Sequence, residues 1–232
     1  GDRPGTRGER QSAWQVIVRR EGGPDAWNSG TVASDETAQV VYAGKPLEPC
    51  ARYRWKVRVW DGDGKVSRWS LESSWTMGPR GPGWTLRSGR NDPRPAPAMS
   101  WVGLPLPETW NEREGQPSPM LRREFALQRP VRRAVLFASA LGIYEVRING
   151  RKVGDRALAP EWTDYRRRVQ YQGYDATALL ARGANAIGAM LAPGWFAGQV
   201  GLGGYFLAIE RGCYGRHLRF AAHLHVEHED GT

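Results

Sequence analysis

The stretch YEVRINGRKVGD (144–155) constrains the fold of this chain more than any other. Tyr144, Val146 and Ile148 point one way and Glu145 and Arg147 the other, the period-two alternation of a strand with one buried and one wet face. Asn149-Gly150 follows at once, the pair that best supplies the two positive φ angles of a two-residue hairpin turn. A chain carrying such a segment is built from antiparallel strands.

The alternation recurs. In AWQVIVRR (13–20), Trp14, Val16 and Val18 share a face; in YRWKVRVW (53–60), Tyr53, Trp55, Val57 and Val59 alternate with Arg54, Lys56 and Arg58. DGDGK (61–65) looks superficially like a calcium loop, but it lacks the remaining ligands of an EF-hand and reads as a hairpin turn. MLRREFAL (120–127) and RRAVLFASAL (132–141) are apolar enough for a sandwich interior, and RVQYQGYDAT (168–177) alternates again. ALLARGANAIGAML (178–191) reads as one helical turn, a Gly-Ala-Asn corner and a buried strand, and GWFAGQVGLGG (194–204) as a glycine-rich loop. RFAAHLHVEHEDG (219–231) is a strand with Phe220, Ala222, Leu224 and Val226 on one face.

These segments predict an all-β chain of two sandwiches. Residues 1–79 form the first, with its opening strand expected to be missing. Residues 80–98 are a Pro/Gly-rich linker whose Trp84 pins it to a neighbour. Residues 99–232 form the second, interrupted by a polar insertion at 108–119. The hairpin signal Asp230-Gly231 has no partner strand after it, so the second sandwich is expected to be incomplete at its C-terminus.

Composition narrows the function classes. Forty per cent apolar residues and eleven tryptophans argue against disorder. The formal charge is +9, and only Lys45, Lys56, Lys65 and Lys152 among the thirty-three basic residues are not arginine. The arginines come in twos and threes among acids or at strand ends, with no RNP-like or helix-turn-helix pattern, so a nucleic-acid partner is not expected. Cys50 and Cys213 fit no disulfide framework or metal pattern and read as free, half-buried thiols. No apolar run approaches the roughly 20 residues of a membrane span, and no signal peptide opens the chain, which leaves localisation open.

Taken together, QSAWQVIV, WNSGTV and YAGKPLEPCARYRWKVRVWDGDGKVSRWS, then LRREFAL, ALGIYEVRINGRKVGDRALAPEWTDYRRRVQYQGYDAT and GANAIGAMLAPGWFAGQVG, resemble the N-terminal modules of bacterial α-L-rhamnosidases, glycoside hydrolase family 78. The resemblance implies an immunoglobulin/fibronectin-III-like sandwich followed by a jelly-roll, galactose-binding-like sandwich. It departs from the family at Glu161 (usually Gly), near Pro193 (usually an acidic or polar residue) and at Phe196 (usually Tyr). It also implies an (α/α)6 catalytic barrel beyond this chain that hydrolyses terminal α-L-rhamnosyl bonds with inversion, using a general acid and a base set far enough apart to admit water. No catalytic residue is therefore assigned here. Some family members carry a related sandwich that binds rhamnose with calcium; calcium enters only through that resemblance, and no residue is assigned to it.

Two stretches are candidate sugar-binding surfaces. In LAPEWTDYRRR (158–168), Trp162 and Tyr165 offer rings for stacking and Asp164 a carboxylate for hydroxyls. The competing reading has both rings closing the end of the sandwich and Asp164 capping a turn, and it is favoured. In APGWFAGQVGLGGYF (192–206), glycines bring the backbone close to a ligand and Trp195 or Phe196 is exposed for stacking; ligand contact and docking against the barrel are equally expected. His223, His225 and Glu227 share a strand face, but nothing supplies further metal ligands, so a solvent-facing surface is expected. Three functions follow: a non-catalytic region of an α-L-rhamnosidase that supports the barrel and contacts rhamnosylated substrate, a free-standing rhamnose-binding module, or a fibronectin-type scaffold or adhesion protein.

Overall fold

Each alternating segment becomes an antiparallel strand, because that pairing lets one face go to a core while the other meets water. The computed structural model describes residues 10–79, 100–105, 117–199 and 211–231. They fall into two units, Gly1–Gly78 and Pro79–Thr232. The linker, Trp84, most of the polar insertion and Gly201, Gly203 and Gly204 lie outside the described residues.

In the first unit, β1 (Ala13–Arg20) lies between β2 (Asp25–Asn28) and β4 (Arg52–Trp60), β5 (Ser73–Thr76) follows on β4, and β3 (Val32–Ala33) pairs with β1. Val18, Ala51 and Tyr53 are buried, with Trp27, Leu47 and Trp75 packed on them. Tyr53 stacks on Trp75 at 5.5 Å, and its hydroxyl accepts the Glu48 N–H at 2.9 Å.

The other face of β4 is not simply wet. Lys56 lies 5.1 Å and Arg58 4.6 Å from the centroid of Trp69, a cation–π arrangement. Trp69 is held there because the hydroxyls of Ser67 and Ser70 accept the N–H groups of Val59 and Val57, both at 3.1 Å. Trp55, expected inside, is 38% exposed. It sits opposite Ser73 at the last pair of the β4–β5 ladder, where that strand begins. In the DGDGK turn, Asp61 Oδ1 accepts the N–H groups of Asp63 at 3.1 Å and Lys65 at 2.8 Å. That carboxylate organises its own loop.

The second unit holds two antiparallel sheets. β10 (Gln172–Asp175), β7 (Val131–Leu141) and β12 (Arg219–His228) form one; β6 (Met120–Leu127), β11 (Gly183–Ala192), β8 (Ile143–Ile148) and β9 (Arg151–Lys152) form the other, each in that order. Leu136, Ala138 and Phe220 from the first sheet share a core with Val146, Ile148 and Leu191 from the second. The β8–β9 turn has Asn149 at φ 51° and Gly150 at φ 80°, as that hairpin type requires. Asn149 also ties the hairpin to its neighbour: its amide donates to Asn185 Oδ1 and its oxygen accepts the Ala186 N–H, both at 2.9 Å.

Three segments differ from their sequence reading. The helical turn before β11 is a 3-10 turn at Thr177–Leu179, and the strand already begins at Gly183, so the Gly-Ala-Asn corner is part of it. β6 is the outer strand of its sheet, so only alternate residues such as Leu121 and Phe125 are half-buried rather than the whole segment lying inside. The glycine-rich loop opens with a one-turn helix, α1 (Gly194–Ala197).

Candidate ligand-binding site

The connection from β9 to β10 folds back on itself. Asp164 Oδ1 accepts the Arg166 N–H at 3.2 Å, the Asp164 carbonyl accepts the N–H groups of Arg167 and Arg168 at 2.9 Å, and Asp164 Oδ2 lies 3.6 Å from the Arg167 guanidinium. A carboxylate that accepts the backbone N–H two residues later is the Asx-turn arrangement. The Tyr165 hydroxyl donates to the Glu161 carbonyl at 3.2 Å, which closes the turn from the other side.

Tyr165 packs inward. Its ring meets Phe196 edge-on at 5.3 Å and Tyr214 at 5.2 Å, and Arg166 lies over Tyr214 at 5.6 Å while donating to the Cys213 carbonyl at 3.1 Å. Burial pushes the Tyr165 phenol pKa upward. Phe196 is 7% exposed, wedged against Gly215, where no Cβ would fit. It belongs to the core and offers no ring to a ligand, which corrects the expectation that either aromatic of that loop is available.

Trp162 and Trp195 are placed differently. Their rings stack, with centroids 6.4 Å apart and planes within 4° of parallel. Trp162 is 53% exposed and Trp195 half-buried. The structure thus joins the two candidate stretches through this pair and leaves Tyr165 and Asp164 to shape the turn beneath. Sequence reasoning missed Tyr214 and Arg166 as partners in this assembly, and the segment around Tyr214 has no periodicity that would reveal them.

Calcium takes six to eight oxygen ligands. Near the tryptophan pair the described carboxylates are Glu161, paired with Arg156 at 3.0 Å, and Asp164, engaged as above. Two arginine-bound carboxylates do not fit that donor set. On β12, Glu227 receives Arg132 at 2.7 Å and Arg133 at 2.6 Å, so its charge is committed to guanidinium groups. His225 Nε2 lies 3.5 Å from it, and burial lowers the His225 pKa against the opposing pull of Glu227. Neither cysteine is half-buried as expected: Cys50 is buried and Cys213 exposed, and neither forms a disulfide. Among the described residues no helix is long and apolar enough to cross a membrane, a statement that leaves strands aside.

Residues 129–232 match the family model described as alpha-L-rhamnosidase N-terminal domain, and residues 3–80 match the Rha78A-like, N-terminal immunoglobulin domain. The two units are N-terminal domains of the α-L-rhamnosidase family. An α-L-rhamnosidase of Formosa agariphila is 31% identical over 202 residues, covering 82% of this chain and 20% of that protein. The crystal structure of the Streptomyces avermitilis α-L-rhamnosidase, complexed with L-rhamnose, superposes with a TM-score of 0.70 at 27% identity over 97% of this chain and 36% of that one. The Aspergillus terreus α-L-rhamnosidase gives a TM-score of 0.71 at 27% identity over 97% and 24%. The chain thus spans about a third or less of these relatives. The all-β expectation holds, and the first rhamnosidase module is of immunoglobulin type by its family model.

Proposed function

We propose that this chain is the non-catalytic N-terminal region of an enzyme hydrolysing terminal α-L-rhamnosyl residues, that it supports the catalytic barrel of the same polypeptide, and that it contacts the rhamnosylated substrate. The observation that carries substrate contact is the parallel Trp162–Trp195 pair, one ring of which is more than half exposed. Aromatic faces take the apolar face of a sugar ring, and a ring braced by a second aromatic loses little freedom on binding. Hydrolysis itself belongs to the barrel, where two widely spaced carboxylates would act, and no residue of these two units is given a catalytic role.

The test is titration calorimetry of the chain with L-rhamnose, with and without calcium, repeated on Trp162→Ala. Heat that disappears in the variant and is indifferent to calcium is the expected result. Silence from the intact chain would leave barrel support as its role, and heat that requires calcium would overturn the reading of the donor set.

A further inference from the structure

Beside the tryptophan pair lies a cleft of about 310 Å³, lined among others by Ile143, Glu145, Lys152, Arg156, Leu158 and Met190. That volume is at the lower end of small-molecule sites, which run from about 300 Å³ upward. Each ring of the pair is tied to the cleft lining through the residue that precedes it. A Cβ on Gly194 would lie 2.6 Å from Ile143, so the residue before Trp195 presses on one wall. Arg156, on the other wall, holds Glu161, the residue before Trp162, at 3.0 Å.

We propose that this cleft holds a second, neutral sugar residue, the one to which the rhamnosyl group is attached. The inference rests on the reading that the tryptophan pair contacts a rhamnosylated ligand. Two of the lining residues are apolar and exposed, Leu158 at 54% and Met190 at 42%, which suits the C–H face of a pyranose. Leu158 stands at φ 56°, a left-handed conformation that is unfavourable for a residue with a β-carbon and that tends to persist at ligand-binding sites.

The rim selects for hydroxyls over charge. Glu145 pairs with Arg147 at 2.9 Å and with Lys152 at 3.6 Å, and Arg147 above all holds its carboxyl below the usual range, so it stays ionised. With Arg156 held by Glu161, every charged group around the cleft has a partner, although three cations face two carboxylates and leave one positive charge in excess. A lysine carries three donors, an arginine five, and a carboxylate about four acceptor sites, far more than these pairings use. A polyhydroxylated neutral ring is met by spare donors and acceptors without breaking any pair, whereas an anionic ligand would face Glu145.

The experiment compares L-rhamnose with the disaccharide 6-O-α-L-rhamnosyl-D-glucose by titration calorimetry on the whole chain. The disaccharide is expected to bind about tenfold more tightly, a difference readily resolved in Kd. The pair of substitutions Glu145→Gln and Lys152→Met, both in the cleft lining, should erase that advantage and leave rhamnose affinity unchanged. Leu158→Asn, which tolerates the positive φ, should reduce it as well without unfolding the loop. Equal affinity for the two sugars, or an advantage that survives both variants, overturns the cleft as a sugar site. If rhamnose alone gives no heat while the disaccharide still binds through Glu145 and Lys152, the tryptophan reading fails and the cleft stands; silence from both sugars overturns both.

Discussion

Trp162 and Trp195 lie face to face, 6.4 Å between centroids and 4° between planes, although one comes from the turn before β10 and the other from α1. The contact links the two candidate stretches, as the Tyr165–Phe196 pair at 5.3 Å does beneath it, and it makes their energetics interdependent. Aromatic pairs contribute about 0.5–1.5 kcal/mol beyond their buried area. A double-mutant cycle of Trp162→Ala and Trp195→Ala, read by urea unfolding, should return a coupling energy in that range. Additive single effects would mean that the rings do not support each other in solution.

Gly194 has φ 51° and stands against Ile143. Gly194→Ala is expected to lose about 1–2 kcal/mol to the left-handed backbone and a further 1–3 kcal/mol to crowding. The substitution also displaces the neighbouring Trp195. Both a lowered melting temperature and weaker sugar binding should follow, and a variant as stable as the parent would contradict the packing of α1 on β8.

The core contains one polar pair whose removal should be felt. The Tyr144 hydroxyl lies 3.1 Å from the Ala138 carbonyl and 3.0 Å from the Tyr174 hydroxyl, and burial pushes the Tyr144 phenol pKa far upward. Tyr144→Phe strands Tyr174 and should destabilise the second unit by about 1–3 kcal/mol in urea. A neutral effect would indicate that water replaces the lost partner.

His225 gives the pH dependence. Burial lowers its folded pKa, so the unfolded chain takes up the proton first and stability rises with pH across that interval. The contribution is complete above the unfolded value of about 6.5 and is lost as pH falls through it toward the folded one. Glu227 opposes the shift, while Arg133 and His223 reinforce it. Thermal melts at pH 7.5 and 5.5 should differ more for the parent than for His225→Gln; equal slopes would refute the assignment.

Strands were legible because period-two alternation of residue type marks them; β1, β4, β8 and β12 all form, although only β8 alternates closely in burial. The alternation was less reliable for what the second face meets. Lys56 and Arg58 look solvated in sequence, yet Trp69 reaches them through serine contacts spanning a turn. Trp162, Asp164, Tyr165, Trp195 and Phe196 were all nameable as aromatic and acidic residues in loops, but loop composition carries no direction. Only packing separates buried Phe196 from exposed Trp162.

The amino-acid order alone determined the all-β character, the Asn149-Gly150 hairpin and the family to which these modules belong, since each depends on neighbours within a dozen residues or on an ordered series of short phrases. Which rings meet, which carboxylates arginines already hold, and that a cleft opens beside Trp162 and Trp195 were decided by the tertiary structure. The ring pairs join residues thirty or more positions apart, local ion pairs such as Arg156–Glu161 depend on how the loop folds back, and a side chain's accessible face is set by what the folded chain lays over it.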